Sequence, residues 1–246
     1  MLAGGSWAVT PPAALDTANY EIEVALDPRN HRLQGVEKIR WTNQTSVATD
    51  EIYLHLYLNA FASFRTTFMR ELDLWALRNQ SDPEGDWGWT RVDRITFDDG
   101  SDLLPAMEFV RPDDGNMDDF TVARIQLPWV VEPGGVIELE LEFEAQLPRI
   151  VARTGFVGDF HFVAQWFPKM AVFKGEGGWN NHQYHAMSEY FADFGSYLVT
   201  ITIPEDWVLG ATGIEVRSSP PVAGQRTVVF RAERVHDCLL YTSPSP

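Results

Sequence analysis

His182 and His185 stand three residues apart, and Glu189 follows four residues later. On one face of a helix, two imidazoles and a carboxylate would offer N, N and O ligands to zinc. The preceding Gly177-Gly178-Trp179-Asn180-Asn181 reads as loop, however, and H-E-x-x-H occurs nowhere in the chain. The expectation is therefore two hydrogen-bonded or solvated loop histidines and no metal site. Asp98-Asp99-Gly100-Ser101-Asp102 and Asp113-Asp114-Gly115-Asn116 have calcium-friendly oxygens, but neither fits the twelve-residue loop with its closing Glu. Asp and Asn beside Gly are what tight turns require, and turns are expected there. No G-x-S-x-G elbow is present for nucleophilic catalysis. Paired-acid hydrolysis needs carboxyls that converge in a cleft, whereas Glu138, Glu140, Glu142 and Glu144 alternate along one strand-like run and read as a solvated face. Trp87, Trp89, Trp166 and Trp179 lie in or beside loops, where aromatic platforms bind sugars or peptides. Closing the ends of a β core is the commoner use of such side chains. Asn43-Gln44-Thr45 and Asn79-Gln80-Ser81 match the glycosylation sequon at chance level.

These residues must be positioned by β structure, because period-two alternation dominates the chain. Ile22, Val24 and Leu26 share a face opposite Glu21 and Glu23, and Ile52, Leu54, Leu56 and Leu58 form another opposite Tyr53, His55 and Tyr57. In 137–147, Ile137, Leu139, Leu141, Phe143, Ala145 and Leu147 alternate with four Glu and Gln146. One face buried and one solvated is the signature of an antiparallel sheet. Tyr197, Val199, Ile201 and Ile203 continue the pattern. Asp99-Gly100, Asp114-Gly115 and Pro133-Gly134-Gly135 punctuate the runs, and only 66–78 reads as a short helix. The fold class expected is all-β: an antiparallel, sandwich-like or saddle-like domain with one short helix.

Composition narrows the partners. The 246 residues are 45% hydrophobic, enough for a sizeable core, and carry 19 Lys and Arg against 35 Asp and Glu. A net charge of −16 argues against nucleic acid, whose phosphates call for clustered cations, and against an anionic membrane surface. No run approaches the length of a membrane span, and MLAGGSWAVTPP at the start lacks the charged and apolar regions of a secretory signal, so the compartment is left open.

Order and spacing of several longer pieces carry a resemblance. They are YEIEVALDPRNHRLQGVEKIRWTNQT (20–45), IYLHLYLNAF (52–61), AQWFPK (164–169), GGWN (177–180) and EYFADFGSYLVTITIP (189–204), closing with Ala211-Thr212-Gly213. Together they resemble the N-terminal β domain of the aminopeptidase-N-like zinc metallopeptidases, the gluzincin aminopeptidases. The resemblance covers about 18–237, with 1–17 as a leader. It implies a saddle of β-sheets that caps a thermolysin-like catalytic domain of the same polypeptide. That domain, with its G-x-M-E-N strand and H-E-x-x-H zinc ligands, is expected beyond this chain. By the same implication the chain is non-catalytic and holds no cofactor, while zinc and a peptide substrate belong to the parent enzyme. A Gln or Glu near the substrate's free amine is the family's contribution from this domain, and Gln165 is the corresponding candidate. The other reading of Gln165 is an amide bracing a loop. The resemblance also places the interdomain surface at Trp166, Phe167 and Trp179. After Asp237 it breaks off: Cys238 to Pro246 reads as a non-native tail of translated adapter sequence, in which the lone Cys carries no meaning. The alternative to this whole reading is a free-standing β-sandwich that binds carbohydrate or peptide through loop aromatics.

Overall fold

The computed structural model describes residues 17–72, 87–149 and 152–245. The strands are β1 (Ala18–Asp27), β2 (Arg32–Thr42), β3 (Thr49–His55), β4 (Trp89–Phe97), β5 (Met107–Val110), β6 (Val122–Val131), β7 (Val136–Gln146), β8 (Gly155–Val157), β9 (Phe160–Val163), β10 (Lys169–Met170), β11 (Val172–Phe173), β12 (Trp179–Asn180), β13 (Gly195–Pro204), β14 (Trp207–Ala211), β15 (Ile214–Ser218), β16 (Gln225–Val235) and β17 (Leu240–Pro244). The one α-helix among the described residues, α1, is Thr67–Glu71. The helical pattern beyond Leu72 lies outside the described residues, as does Asn79-Gln80-Ser81. No helix among the described residues is long and apolar enough to cross a membrane.

A seven-stranded sheet in the order β15-β16-β13-β1-β2-β7-β4 is the main layer. Smaller sheets run β10-β3-β6-β5 and β14-β17-β9-β8, with β11 paired to β12. The architecture is the all-β one that alternation predicts, with one departure. β1 and β13 run parallel, Tyr20 opposite Tyr197, which only a long crossover through the rest of the chain allows. Both edges of the large sheet carry a bulge, between Val92 and Arg94 on β4 and between Glu215 and Arg217 on β15. Bulges and charged side chains at an edge blunt pairing with other chains.

Alternation is followed closely on β7. Ile137, Leu139, Leu141 and Phe143 are buried, and the opposite Glu row is met by cations from neighbouring strands: Arg40 to Glu138, Lys38 to Glu140, Arg94 to Glu142, and Arg32 and Arg91 to Glu144. β3 differs from its expectation. The strand stops at His55, and Tyr53, His55 and Tyr57 are buried rather than outward. Their face is covered by Trp179 (ring centroid 5.6 Å from Tyr53) and by Tyr184 (5.3 Å from Tyr57), with β10 paired along the edge of β3. Residues 238–245, which the sequence reads as foreign, supply β17, paired with β14 and β9. A ladder is built of backbone groups, so a segment of any origin with β-compatible side chains completes it.

β2 contains one inversion of the pattern. Val36 faces solvent while Glu37 points inward with Leu33, Ile39 and Trp41, fully buried, and neither carboxyl oxygen has a hydrogen-bond partner among the described residues. Burial pushes its pKa well above the ordinary carboxyl value. Beside it, Gly35 leaves room for the ring of Phe143, which would lie 2.5 Å from any added Cβ. Because the folded form keeps a proton that the unfolded chain releases, stability from this site is present below the unfolded pKa and falls as pH rises toward the folded one. Glu37→Met is expected to stabilise the protein by about 1–3 kcal/mol at pH 8, the scale of an unsatisfied buried polar group, and by less at pH 5. Denaturant melts at the two pH values check this; equal effects at both would refute the buried-acid account.

Candidate functional site

The sequence between β9 and β10 folds into a turn that brings polar groups inside. Gln165 has φ 55, the left-handed region, which costs a residue with a Cβ about 1–2 kcal/mol. The turn sends Trp166 and Phe167 fully into the core, where Phe167 packs edge-on to Tyr20 at 5.5 Å and the Trp166 Nε1–H donates to the Cys238 carbonyl at 2.9 Å. It also leaves the Gln165 side chain interior, the residue being 4% exposed. There the Gln165 amide donates from Nε2 to Asp237 Oδ2 and accepts at Oε1 from Lys169 Nζ at 3.2 Å. Lys169 closes the triangle by an ion pair to Asp237 Oδ1 at 2.8 Å, with its side chain only 4% exposed.

Burial pulls the Lys169 ammonium below its ordinary pKa, against the opposing charge and hydrogen bond of Asp237. His55 is its cross-strand partner. Burial first, and then Lys169, depress its pKa to about 3, so the ring is neutral, and its Nε2 has no partner among the described residues. Tyr20 joins from β1, its hydroxyl accepting from the Met170 N–H at 3.1 Å. The Cys238 thiol beside this cluster is buried and pushed up to about 12, so it is not a nucleophile at neutral pH. The arrangement of Gln165, Lys169 and Asp237 is that of a brace: both ends of the amide are engaged within the chain.

The structure brings His182 and His185 together, but not with Glu189. His182 Nδ1 lies 2.7 Å from Asp113 Oδ1, and His185 lies between Glu71 and Asp113. Glu189 instead pairs with Arg153 at 2.7 and 2.9 Å. Among the described residues no group of three or more His, Cys, Asp or Glu is disposed to hold a metal ion. Sequence reading missed Asp113 and Glu71 as partners because they lie far away along the chain, Asp113 on a turn and Glu71 at the end of α1. Both Asp-Gly segments are turns, with Gly100 at φ 83 and Gly115 at φ 68, closed by Asp99 accepting from Ser101 N and Asp114 from Asn116 N.

Trp166 and Phe167 do not form the outward surface that the resemblance implied. Trp179 is half-buried against Trp41, Tyr53 and Phe173. Trp87 packs edge-on to Phe64 at 4.7 Å, and Trp89 lies between the guanidinium groups of Arg32 and Arg91. A different Trp is exposed: Trp129, 47% accessible, stacks on Phe97 at 4.4 Å. Exposed apolar side chains gather elsewhere, on the outer face of the β14-β17-β9-β8 sheet. Val157, Phe160, Val208 and Tyr241 share that face through their pairing register. A shallow groove of about 510 Å³ lies on the solvent face of the large sheet, between Glu23, Gln34, Val36, Arg91, Glu142 and Thr200, away from Gln165.

No protein-family model matches the chain, and no curated protein matches it. Solved structures do. A mutant form of an M1 zinc metallopeptidase from Deinococcus radiodurans matches 93% of this chain and 42% of its own, at 15% identity and a TM-score of 0.54. The same metallopeptidase without the mutation matches at 15% identity and 0.52, and the mutant bound to a Tyr-Ser-Ala substrate at 16% and 0.53, each over the same shares of the two chains. This chain thus spans less than half the length of those structures, and at such identity the likeness is one of fold.

The brace makes a quantitative expectation. Removing one partner of a buried ion pair leaves the other uncompensated, at about 3–5 kcal/mol. Asp237→Asn is therefore expected to cost about 3 kcal/mol, and Lys169→Met less, because the Asp237 side chain keeps 20% exposure. Combining the two should recover part of the loss, giving a coupling above about 1 kcal/mol in urea denaturation. Additive losses would show that the pair is not a unit.

Proposed function

We propose that this chain is the non-catalytic N-terminal β domain of a zinc-dependent, aminopeptidase-like metallopeptidase. In this reading it caps one side of the catalytic domain and helps shape the end of the active site that receives the substrate's free amine. The observation that carries the proposal is a fold match covering nearly all of this chain and less than half of a longer M1 zinc metallopeptidase. The order of the AQWFPK, GGWN and EYFADFGSYLVTITIP pieces supports it independently.

The proposal assigns the zinc and its general base to the catalytic domain, since peptide hydrolysis of this kind needs a metal-polarised water and a base. None of the described residues is gathered into a ligand set. Gln165 enters as the residue that fixes the turn behind the amine-binding end. Direct contact with a substrate amine would require its amide to leave Asp237 and Lys169. The apolar outer face bearing Val157 and Phe160 is the surface proposed to meet the catalytic domain, because contiguous exposed apolar area marks an interaction site.

Two measurements test this. Reading the coding DNA downstream should reveal G-x-M-E-N followed by H-E-x-x-H; a stop codon within a few residues of Asp237 would favour a free-standing binding module. The purified chain should not turn over aminoacyl-anilides in the presence of zinc. Chelator-sensitive turnover that survives repurification would overturn the non-catalytic assignment.

A further inference from the structure

Residues 181–194 contain no helix or strand, yet their first part is firmly held. The Tyr57 hydroxyl donates to the His182 carbonyl at 3.1 Å, and the Gln183 N–H donates to Asp113 Oδ2 at 2.7 Å. The Gln183 side-chain amide donates to Thr67 Oγ1 and Asp114 Oδ1, both at 2.9 Å. Tyr184 is buried against Phe61, Phe68 and Tyr57. After Tyr184 the character changes. Met187 is 98% exposed, Phe191 and Phe194 are exposed, and the ion pair of Glu189 to Arg153 lies at the surface, while Tyr190 turns back to stack on Tyr184 with ring centroids 5.3 Å apart and their hydroxyls hydrogen-bonded.

Between these halves stands His185. Its Nδ1 is 2.6 Å from Glu71 Oε1 at the end of α1, and its Nε2 is 3.0 Å from Asp113 Oδ2. Glu71 Oε2 also accepts from the Ala186 N–H at 2.8 Å. Both ring nitrogens thus face carboxylate oxygens, which only accept. A neutral imidazole has one N–H and can satisfy one of them, whereas the imidazolium satisfies both.

We propose that His185 is a proton-operated clasp, which as imidazolium ties residues 185–188 to α1 and to the Asp113 turn, and on losing its proton frees them between the fixed points at Tyr184 and Tyr190. Among the described residues, the charged or titratable groups that face it are Glu71 from α1, Asp113 and Asp114 from the turn, and His182 from its own segment. Burial opposes the proton, but the hydrogen bonds and charges of Glu71 and Asp113 outweigh it and raise the pKa of His185 above its ordinary value. The sign follows. The clasp contributes fully below the unfolded pKa of the histidine and is lost as pH rises through the folded one. Residues 182–184 do not follow, because the Tyr57 hydroxyl holds the His182 carbonyl, Thr67 and Asp114 hold the Gln183 side chain, and Phe61 and Phe68 pack on Tyr184 whatever the charge on His185. The clasp concerns local order and stands whether or not the proposed function does.

The experiment follows the full chain by NMR from pH 5.5 to 9. It records the His185 ring titration and amide exchange over 182–194, with exchange corrected for its intrinsic pH dependence. Protection of the Ala186 amide, which donates to Glu71, should fall several-fold across the His185 midpoint, while 183 and 184 stay protected. His185→Leu should leave the Ala186 amide unprotected at every pH, and His185→Lys should keep it protected through pH 8.5. If His185→Leu does not fold, Glu71→Gln serves instead, and should lower both the His185 midpoint and the protection at pH 6. Protection that is independent of pH in the wild type, or that changes at a pH unrelated to the His185 titration, would overturn the clasp.

Discussion

An ammonium placed inside a protein must be met by a counter-charge and by acceptors for its remaining protons, and Lys169 imposes that demand on its surroundings. Its ladder pairing with His55 fixes it beside β3, so the acceptors have to come to it. Asp237 arrives from the end of β16, and Gln165 arrives by adopting a left-handed backbone that its side chain would not choose in isolation. Once Gln165 turns inward, Trp166 and Phe167 are driven into the core, and Tyr20 and Tyr197 pack around Phe167. The turn that resembles a family motif is thus the local solution to a charge-burial problem. Its aromatics serve that solution rather than a surface.

Legibility in the sequence tracks how many faces of an element are buried. β7, with one face inside and one in water, could be read residue by residue, and even its Arg and Lys partners lie where an outer Glu row would want them. β3 could be placed but not oriented, because its second face is covered by segments more than 100 residues later, and a half-polar row of Tyr and His looks outward until that cover is known. Glu37 was readable: the alternation of 32–42 sets it on the face of Leu33, Ile39 and Trp41. The candidate site was legible only in part. Gln165 was found through a resemblance, but its partner Asp237 and the carboxylates around His185 are set by tertiary proximity, for which spacing along the chain carries no signal.

Apolar surface has been distributed with similar economy. The large sheet covers its inner face with the core, saturates its outer face with ion pairs, and ends at each edge in a bulge. Exposed ion pairs of this sort add little stability individually, so their physical effect is to keep that face wetted and unpaired. The face of the β14-β17-β9-β8 sheet has no such treatment. Tyr241, Phe160 and Val157 stand outward without an interleaved charge row. One molecule thus carries two sheet faces of opposite side-chain chemistry, one covered by a charged row and one apolar.

The buried titratable groups divide by the direction in which they resist pH. His55 and His161 are held neutral, at about 3 and about 4, chiefly by burial, with Lys169 and His31 respectively adding repulsion. Their contribution to stability is present above the ordinary imidazole value of 6.5 and is lost as pH falls through those depressed values. Glu37 works from the other side, its contribution declining as pH rises above the ordinary carboxyl range, and so does the doubly hydrogen-bonded His185. The acid-sensitive pair lies within the β layers, at the β3–β10 pairing and at the contact between His31 and His161, 2.9 Å apart, so acid acts on the packing of the whole domain. On the alkaline side the two groups differ in reach. Glu37 belongs to the central sheet and weakens it globally, while His185 governs a segment without ladder bonds that has lower local stability to lose. Rising pH therefore acts locally on the 185–188 segment through His185 and on the whole sheet through Glu37, and falling pH leaves the segment clasped while the interior histidines begin to take up protons.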